Sequence, residues 1–143
     1  MKKMNNKGFS LVELIVVVLI MAIIAVALAP QVMRWVENSR KSNDIESYNS
    51  LINAINVAST DEDVVKEIKA ATATVHFKSS GVSGMGTKLL ANCQKTLPDL
   101  TNLSSIKVTS SDWATKDFTI KVEFVAGDGI KVTKTNAPVK DFS

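Results

Sequence analysis

The chain has 143 residues, 45% of them hydrophobic, with 17 basic and 14 acidic side chains and a single cysteine, Cys93. That length holds one modest domain plus a terminal segment, enough to bury a core without disulfide support, and one cysteine excludes an intramolecular disulfide. The basic excess is local: Lys2, Lys3 and Lys7 all precede an apolar run, and without them the count is 14 against 14, so the charge does not describe a nucleic-acid-binding surface.

The first element is the run "KGFSLVELIVVVLIMAIIAVALAP", Lys7 to Pro30, apolar from Phe9 to Ala29 apart from Ser10 and Glu13. As a helix, Phe9 to Ala29 is about 31 Å long, close to the roughly 30 Å hydrocarbon core of a bilayer. The preceding lysines place its N-terminal side in the cytoplasm and the bulk of the chain outside, and Trp35 beside Arg34 suits the outer interface. Three readings compete. A cleaved secretory signal would use Ala27–Ala29 as its small-residue site, but the run exceeds the usual apolar length, Pro30 would follow the scissile bond, and Glu13 would be pure cost. A plain anchor tolerates the length and Pro30 but leaves Glu13 unexplained. A carboxylate in an apolar segment costs roughly 2.5–3.5 kcal/mol, even if snorkelling brings it near the interface. The third reading gives Glu13 a partner, and it rests on the resemblance described below. Pro30 has no N–H for the Val26 carbonyl and disfavours a helical Ala29, which predicts a kink.

After Pro30 the helical pattern resumes, with Ile45, Tyr48, Ile52 and Ile55 on one face. The reading is one long helix from about Phe9 to about Ala58, apolar all round at first and then one-faced. Thr60, followed by Asp61, Glu62 and Asp63, looks like a capped start for a short helix to about Ala70. The period then changes to two: Ala73, Val75 and Phe77; Ile106 and Val108; Phe118, Ile120, Val122 and Phe124; Ile130 and Val132. "FTIKVEFVAGDGIKVT" is a β-hairpin signal, with Gly-Asp-Gly supplying positive φ. Lys88–Leu97 reads as a helix that stops at Pro98. The fold class is α+β, a long helix packed on a small antiparallel sheet with short extra helices.

Chemistry-bearing residues are few. "GVSGMGTK", Gly81–Lys88, nearly spells a phosphate-binding loop, but Thr87 separates the last glycine from Lys88, and a flexible loop is the better reading. His76, the only histidine, lies on the polar face of a strand with no ligand at metal spacing. Cys93 shares a face with Leu89, Leu90 and Leu97 and reads as a buried structural thiol. Asp112, Asp117 and Asp128 could meet at sheet ends, but their spacing matches no regular calcium loop. The expectation is no catalytic residue, no metal and no cofactor.

The stretch "KGFSLVEL" resembles the processing site of type IV pilins and the related pseudopilins. The resemblance implies cleavage by a membrane-embedded prepilin peptidase between Gly8 and Phe9, followed by N-methylation of Phe9. It implies an assembly role for Phe9, Glu13 and Pro30: the new Phe9 amine pairs with Glu13, within the chain or between neighbours, and Pro30 sits where many pilins carry a helix-breaking proline. The implied organisation is a leader over residues 1–8, a transmembrane and polymerisation helix over 9–30, and an extracytoplasmic head over 31–143. The expected function is a major or body pilin, not an enzyme, held as a single-pass protein of the cytoplasmic membrane before assembly and outside the cell afterwards. Its partners are copies of itself, the peptidase and the membrane assembly machinery, with no nucleic acid. Alternatives are a pseudopilin of a secretion or DNA-uptake machine, which shares every motif, and an anchored binding domain that does not polymerise. Many Gram-negative pilins close a C-terminal loop with a disulfide. This chain has no second cysteine, which leaves the edge near Ala137–Ser143 to packing and fits better with Gram-positive relatives.

Overall fold

A computed structural model describes residues 8–139, so the leader lysines and the last residues of the Ala137–Ser143 edge lie outside the described residues. The elements in chain order are α1 (Leu11–Ala58), α2 (Glu62–Ala70), β1 (Ala73–Lys78), β2 (Gly81–Ser83), α3 (Thr87–Thr96), β3 (Phe118–Val125) and β4 (Gly129–Asn136). The chain divides into two units, one ending at Val36 and one beginning at Glu37. In the first, α1 begins two residues after the expected Phe9, runs unbroken through Pro30 and exposes every side chain.

The second unit is α+β. Its sheet is antiparallel in the order β2-β1-β3-β4, and its core joins the later part of α1 to one face of that sheet. Tyr48, Leu51, Ile52 and Ile55 of α1 are buried with Val75 and Phe77 of β1 and Phe118, Ile120 and Val122 of β3. The period-two pattern at Phe118–Phe124 therefore does what the pleat dictates, sending alternate side chains to opposite faces. Tyr48 packs its ring 6.1 Å from Phe77 and 6.4 Å from Phe118. Its hydroxyl donates to the Thr119 carbonyl at 3.1 Å, where the β3–β4 register shifts, so the bulge keeps no orphan acceptor on that side. The hairpin turn forms as expected, with Gly127 at φ 97° and Gly129 at φ 83°, values that favour glycine.

Three local expectations are corrected. The helix cap at α2 is Asp61, whose carboxylate accepts from Asp63 N–H at 2.9 Å, while the Thr60 hydroxyl turns back to the Val57 carbonyl. The stretch Ile106–Val108 is not a strand. Val108 donates once to the Lys78 carbonyl, but the next two amides, Thr109 and Ser110, are captured by the Asp44 carboxylate, which ends any ladder there. The segment read as a flexible loop, Gly81–Lys88, instead holds β2 and the start of α3.

Candidate processing and assembly segment

Gly8, Phe9 and Ser10 precede the first turn of α1 in non-helical conformation, with Phe9 exposed. Ser10 then closes the helix start. Its Oγ accepts from Glu13 N–H at 3.2 Å, and the Glu13 carboxylate accepts from Ser10 N–H at 3.3 Å. Its carbonyl takes the first helical bond, from Leu14 N–H. This is a reciprocal capping box, two otherwise orphan donors satisfied by a Ser and a Glu three apart. In a segment surrounded by hydrocarbon, an unsatisfied backbone donor costs several kcal/mol, so the carboxylate is useful to its own helix. The Ser-x-x-Glu spacing was present in the sequence, and Ser10 is the residue the expectations above passed over. Phe9 and Glu13 lie four apart in the chain and line one shallow depression with Val12, Val16 and Val17. Pro30 sits in the helix interior.

In the second unit, acidic side chains of α1 grip the connection into β3. Buried Asp44 accepts from Thr109 N–H at 2.8 Å, the Thr109 hydroxyl at 2.7 Å and Ser110 N–H at 2.8 Å. Two turns earlier, Glu37 accepts from Asp112 N–H at 3.0 Å and from the Ser110 hydroxyl. These two donors, the backbone one foremost, hold the Glu37 carboxyl below its ordinary range. Between them, buried Lys41 pairs with Asp112 at 2.6 Å and lies 5.9 Å from the Trp113 ring centre. Glu37, Lys41 and Asp44 follow helical spacing on one side of α1, so a single stripe fixes the whole connection.

The phosphate-loop resemblance at Gly81–Lys88 is answered by α2. The Glu67 carboxylate accepts from Lys88 N–H at 3.1 Å and Leu89 N–H at 2.9 Å. It thus occupies the α3 N-terminus, where Gly86 supplies no side-chain cap. A phosphate there would meet a carboxylate rather than free amides. His76 does have a partner that sequence spacing hid: its Nδ1 lies 2.9 Å from Asp117, which also pairs with Lys78 at 3.2 Å. Asp112 and Asp117 are thus taken up by different cations. Among the described residues, no three His, Cys, Asp or Glu side chains form a group fit for a metal. Cys93 is fully buried, and desolvation pushes its thiol up to about 12.

Helix α1 is long and apolar enough to cross a membrane. With Glu13, the one carboxylate between Phe9 and Ala29, folded into the first turn, it fits a membrane-anchored protein of the type IV pilin-like class. Residues 3–29 match the prokaryotic N-terminal methylation motif, the signal carried by type IV pilins and pseudopilins, which are structural rather than enzymatic proteins. No curated protein and no solved structure gives a significant match to the chain.

Proposed function

We propose that this chain is the body subunit of a type IV pilus, processed between Gly8 and Phe9, N-methylated on Phe9 and polymerised through its N-terminal helix. The carrying observation is the methylation motif over residues 3–29 enclosing Glu13, the one acidic residue between Phe9 and Ala29. Cleavage creates a positive amine beside an apolar helix. Pairing it with a carboxylate removes two uncompensated charges at once, and breaking such a buried pair costs about 3–5 kcal/mol. A Phe9 amine that pairs with Glu13 of a neighbouring subunit also sets the axial stagger of the helices, the best-attested use of a lone buried polar group. The Glu13 carboxylate already turns toward the start of its own helix, so little rearrangement brings it to an incoming amine. Pro30, lacking the N–H for Val26, is where the helix would loosen in an extended filament. Residues 9–30 form the membrane and polymerisation segment, and residues 31–143 the extracytoplasmic head.

The test is Glu13→Ala. The variant should insert, because the segment becomes more apolar, and should still be cut after Gly8, because the scissile bond precedes the change. It should then accumulate as processed subunit in membranes and be depleted from sheared fibres. Electron microscopy and intact-mass analysis of wild-type fibres should show a mature chain beginning at Phe9 with one added methyl group. A mature start at Pro30, an uncut Met1, or wild-type fibre yield from Glu13→Ala would each overturn the reading.

A further inference from the structure

The segment between α3 and β3 carries one motif that the assembly reading does not use. Of all the asparagines in the chain, Asn102 alone is followed two positions later by a serine or threonine with no proline between, in Asn102-Leu103-Ser104. That spacing is the acceptor motif for N-linked glycosylation, a modification of surface loops. A bare triplet is weak evidence, so its setting decides whether it can serve.

The setting is a turn tied down at two points. Leu100 is fully buried in the core, and the Leu103 carbonyl accepts from Val82 N–H of β2 at 2.5 Å. Ser105 N–H closes the turn on the Asn102 carbonyl at 3.1 Å. Residues Thr101 to Ser105 are all exposed, so the acceptor is displayed on a fixed base.

Within the turn the Asn102 carboxamide is polarised. Its Oδ1 accepts from Ser104 N–H at 3.1 Å, the Ser104 hydroxyl at 2.6 Å and the Ser105 hydroxyl at 3.1 Å. A backbone N–H can only donate, which fixes the carboxamide oxygen on that side. Nδ2 then makes no hydrogen bond among the described residues. An amide nitrogen is a weak nucleophile, because resonance shares its lone pair with the carbonyl. Donors placed on the oxygen stabilise the negative charge that gathers there as Nδ2 gives up a proton.

We propose that Asn102 is a glycan acceptor, modified on Nδ2 by a membrane transferase that uses a polyprenyl-diphosphate-linked oligosaccharide. Nδ2 attacks the anomeric carbon of the donor sugar. The carbon–nitrogen bond forms as the carbon–oxygen bond to the diphosphate breaks. The lipid diphosphate leaves with that electron pair, and the amide proton passes to a base of the transferase. Ser104 is the positioning residue, since its hydroxyl makes the shortest bond to the carboxamide. The inference rests on the extracytoplasmic placement of the head proposed above, because the lipid-linked donor is consumed on the outer side of the membrane.

The test uses the full chain isolated from its own cells. Intact-mass analysis and tandem mass spectrometry of its peptides should find carbohydrate on Asn102. Asn102→Gln and Ser104→Ala should each lose that mass completely, whereas Ser104→Thr, which keeps the hydroxyl, should retain it. Carbohydrate that persists in Asn102→Gln or Ser104→Ala would overturn the assignment. A bare Asn102 in a wild-type chain whose head lysines are labelled on whole cells by a membrane-impermeant amine reagent would sink the glycan site alone. A bare Asn102 in a head closed to that reagent would sink both the site and the outer placement.

Discussion

Asp44 is buried on α1, where its carboxylate accepts from two backbone amides and a hydroxyl of the Thr109–Ser110 segment. Bonds to a charged acceptor contribute about 1.5–3 kcal/mol each, and losing the acceptor strands buried donors. Asp44→Ala should therefore lower stability by about 3 kcal/mol, read as a fall in denaturant midpoint at unchanged slope. Glu37 gives a pH signature. Its folded-state carboxyl lies below the ordinary value of 4.5, so its contribution is complete above that value and is lost as pH falls through the lowered one. Glu37→Gln should thus cost stability at neutral pH while flattening the decline below about pH 4.5, measured by thermal melts across an acid series. Cys93, with its thiol pushed up to about 12, holds almost no thiolate at neutral pH. Its labelling should be slow and should track opening of the core rather than reagent concentration. Of these residues, the sequence pattern marked Cys93 as buried. Nothing in the spacing of Glu37 and Asp44 revealed that their targets lie more than sixty residues away.

Among elements, α3 shows how a boundary can be read while its support stays hidden. The run to Pro98 was legible from helical pattern and breaker, but the cap comes from Glu67 on another helix. A Cβ at Gly86 would lie 2.5 Å from the Glu67 carboxyl carbon, so the glycine leaves room for the cap. Glu67→Ala should cost about 1 kcal/mol, the usual loss for a helix cap. Gly86→Ala should cost at least as much by displacing the carboxylate. The double variant should then be less destabilised than the sum of the two, a coupling that a double-mutant cycle in urea would measure. Strand β2 is the converse case. At three residues it is too short for alternation to register, and it exists because β1 offers Phe77 and Lys78 as pairing partners for Val82 and Gly81.

For the whole molecule, the two units predict separable behaviour. A fragment beginning at Trp35 retains the buried cluster of Tyr48, Phe77, Leu89 and Ile120 and omits the apolar helix. It should be soluble and monomeric at micromolar concentration, and its melting temperature should not respond to reductant. Light scattering that reports aggregates, or a melt that shifts when reductant is added, would contradict this.

Local and periodic information was enough for the long helix, the β3–β4 hairpin, the α+β class and the KGFSLVEL signal, because each depends on residues within a few positions of one another. The reciprocal Ser10–Glu13 cap was equally local and equally readable. Tertiary structure alone decided the rest. Ile106–Val108 alternates like a strand, but a strand needs a neighbour to receive its amides, and Asp44 took those of Thr109 and Ser110 first. Asp117 meets His76 across forty-one residues, and Glu67 meets the α3 amides across twenty-one. Hydrogen-bond partners are chosen by distance in space, and the fold sets that distance only after the sheet and α1 have closed on their shared core.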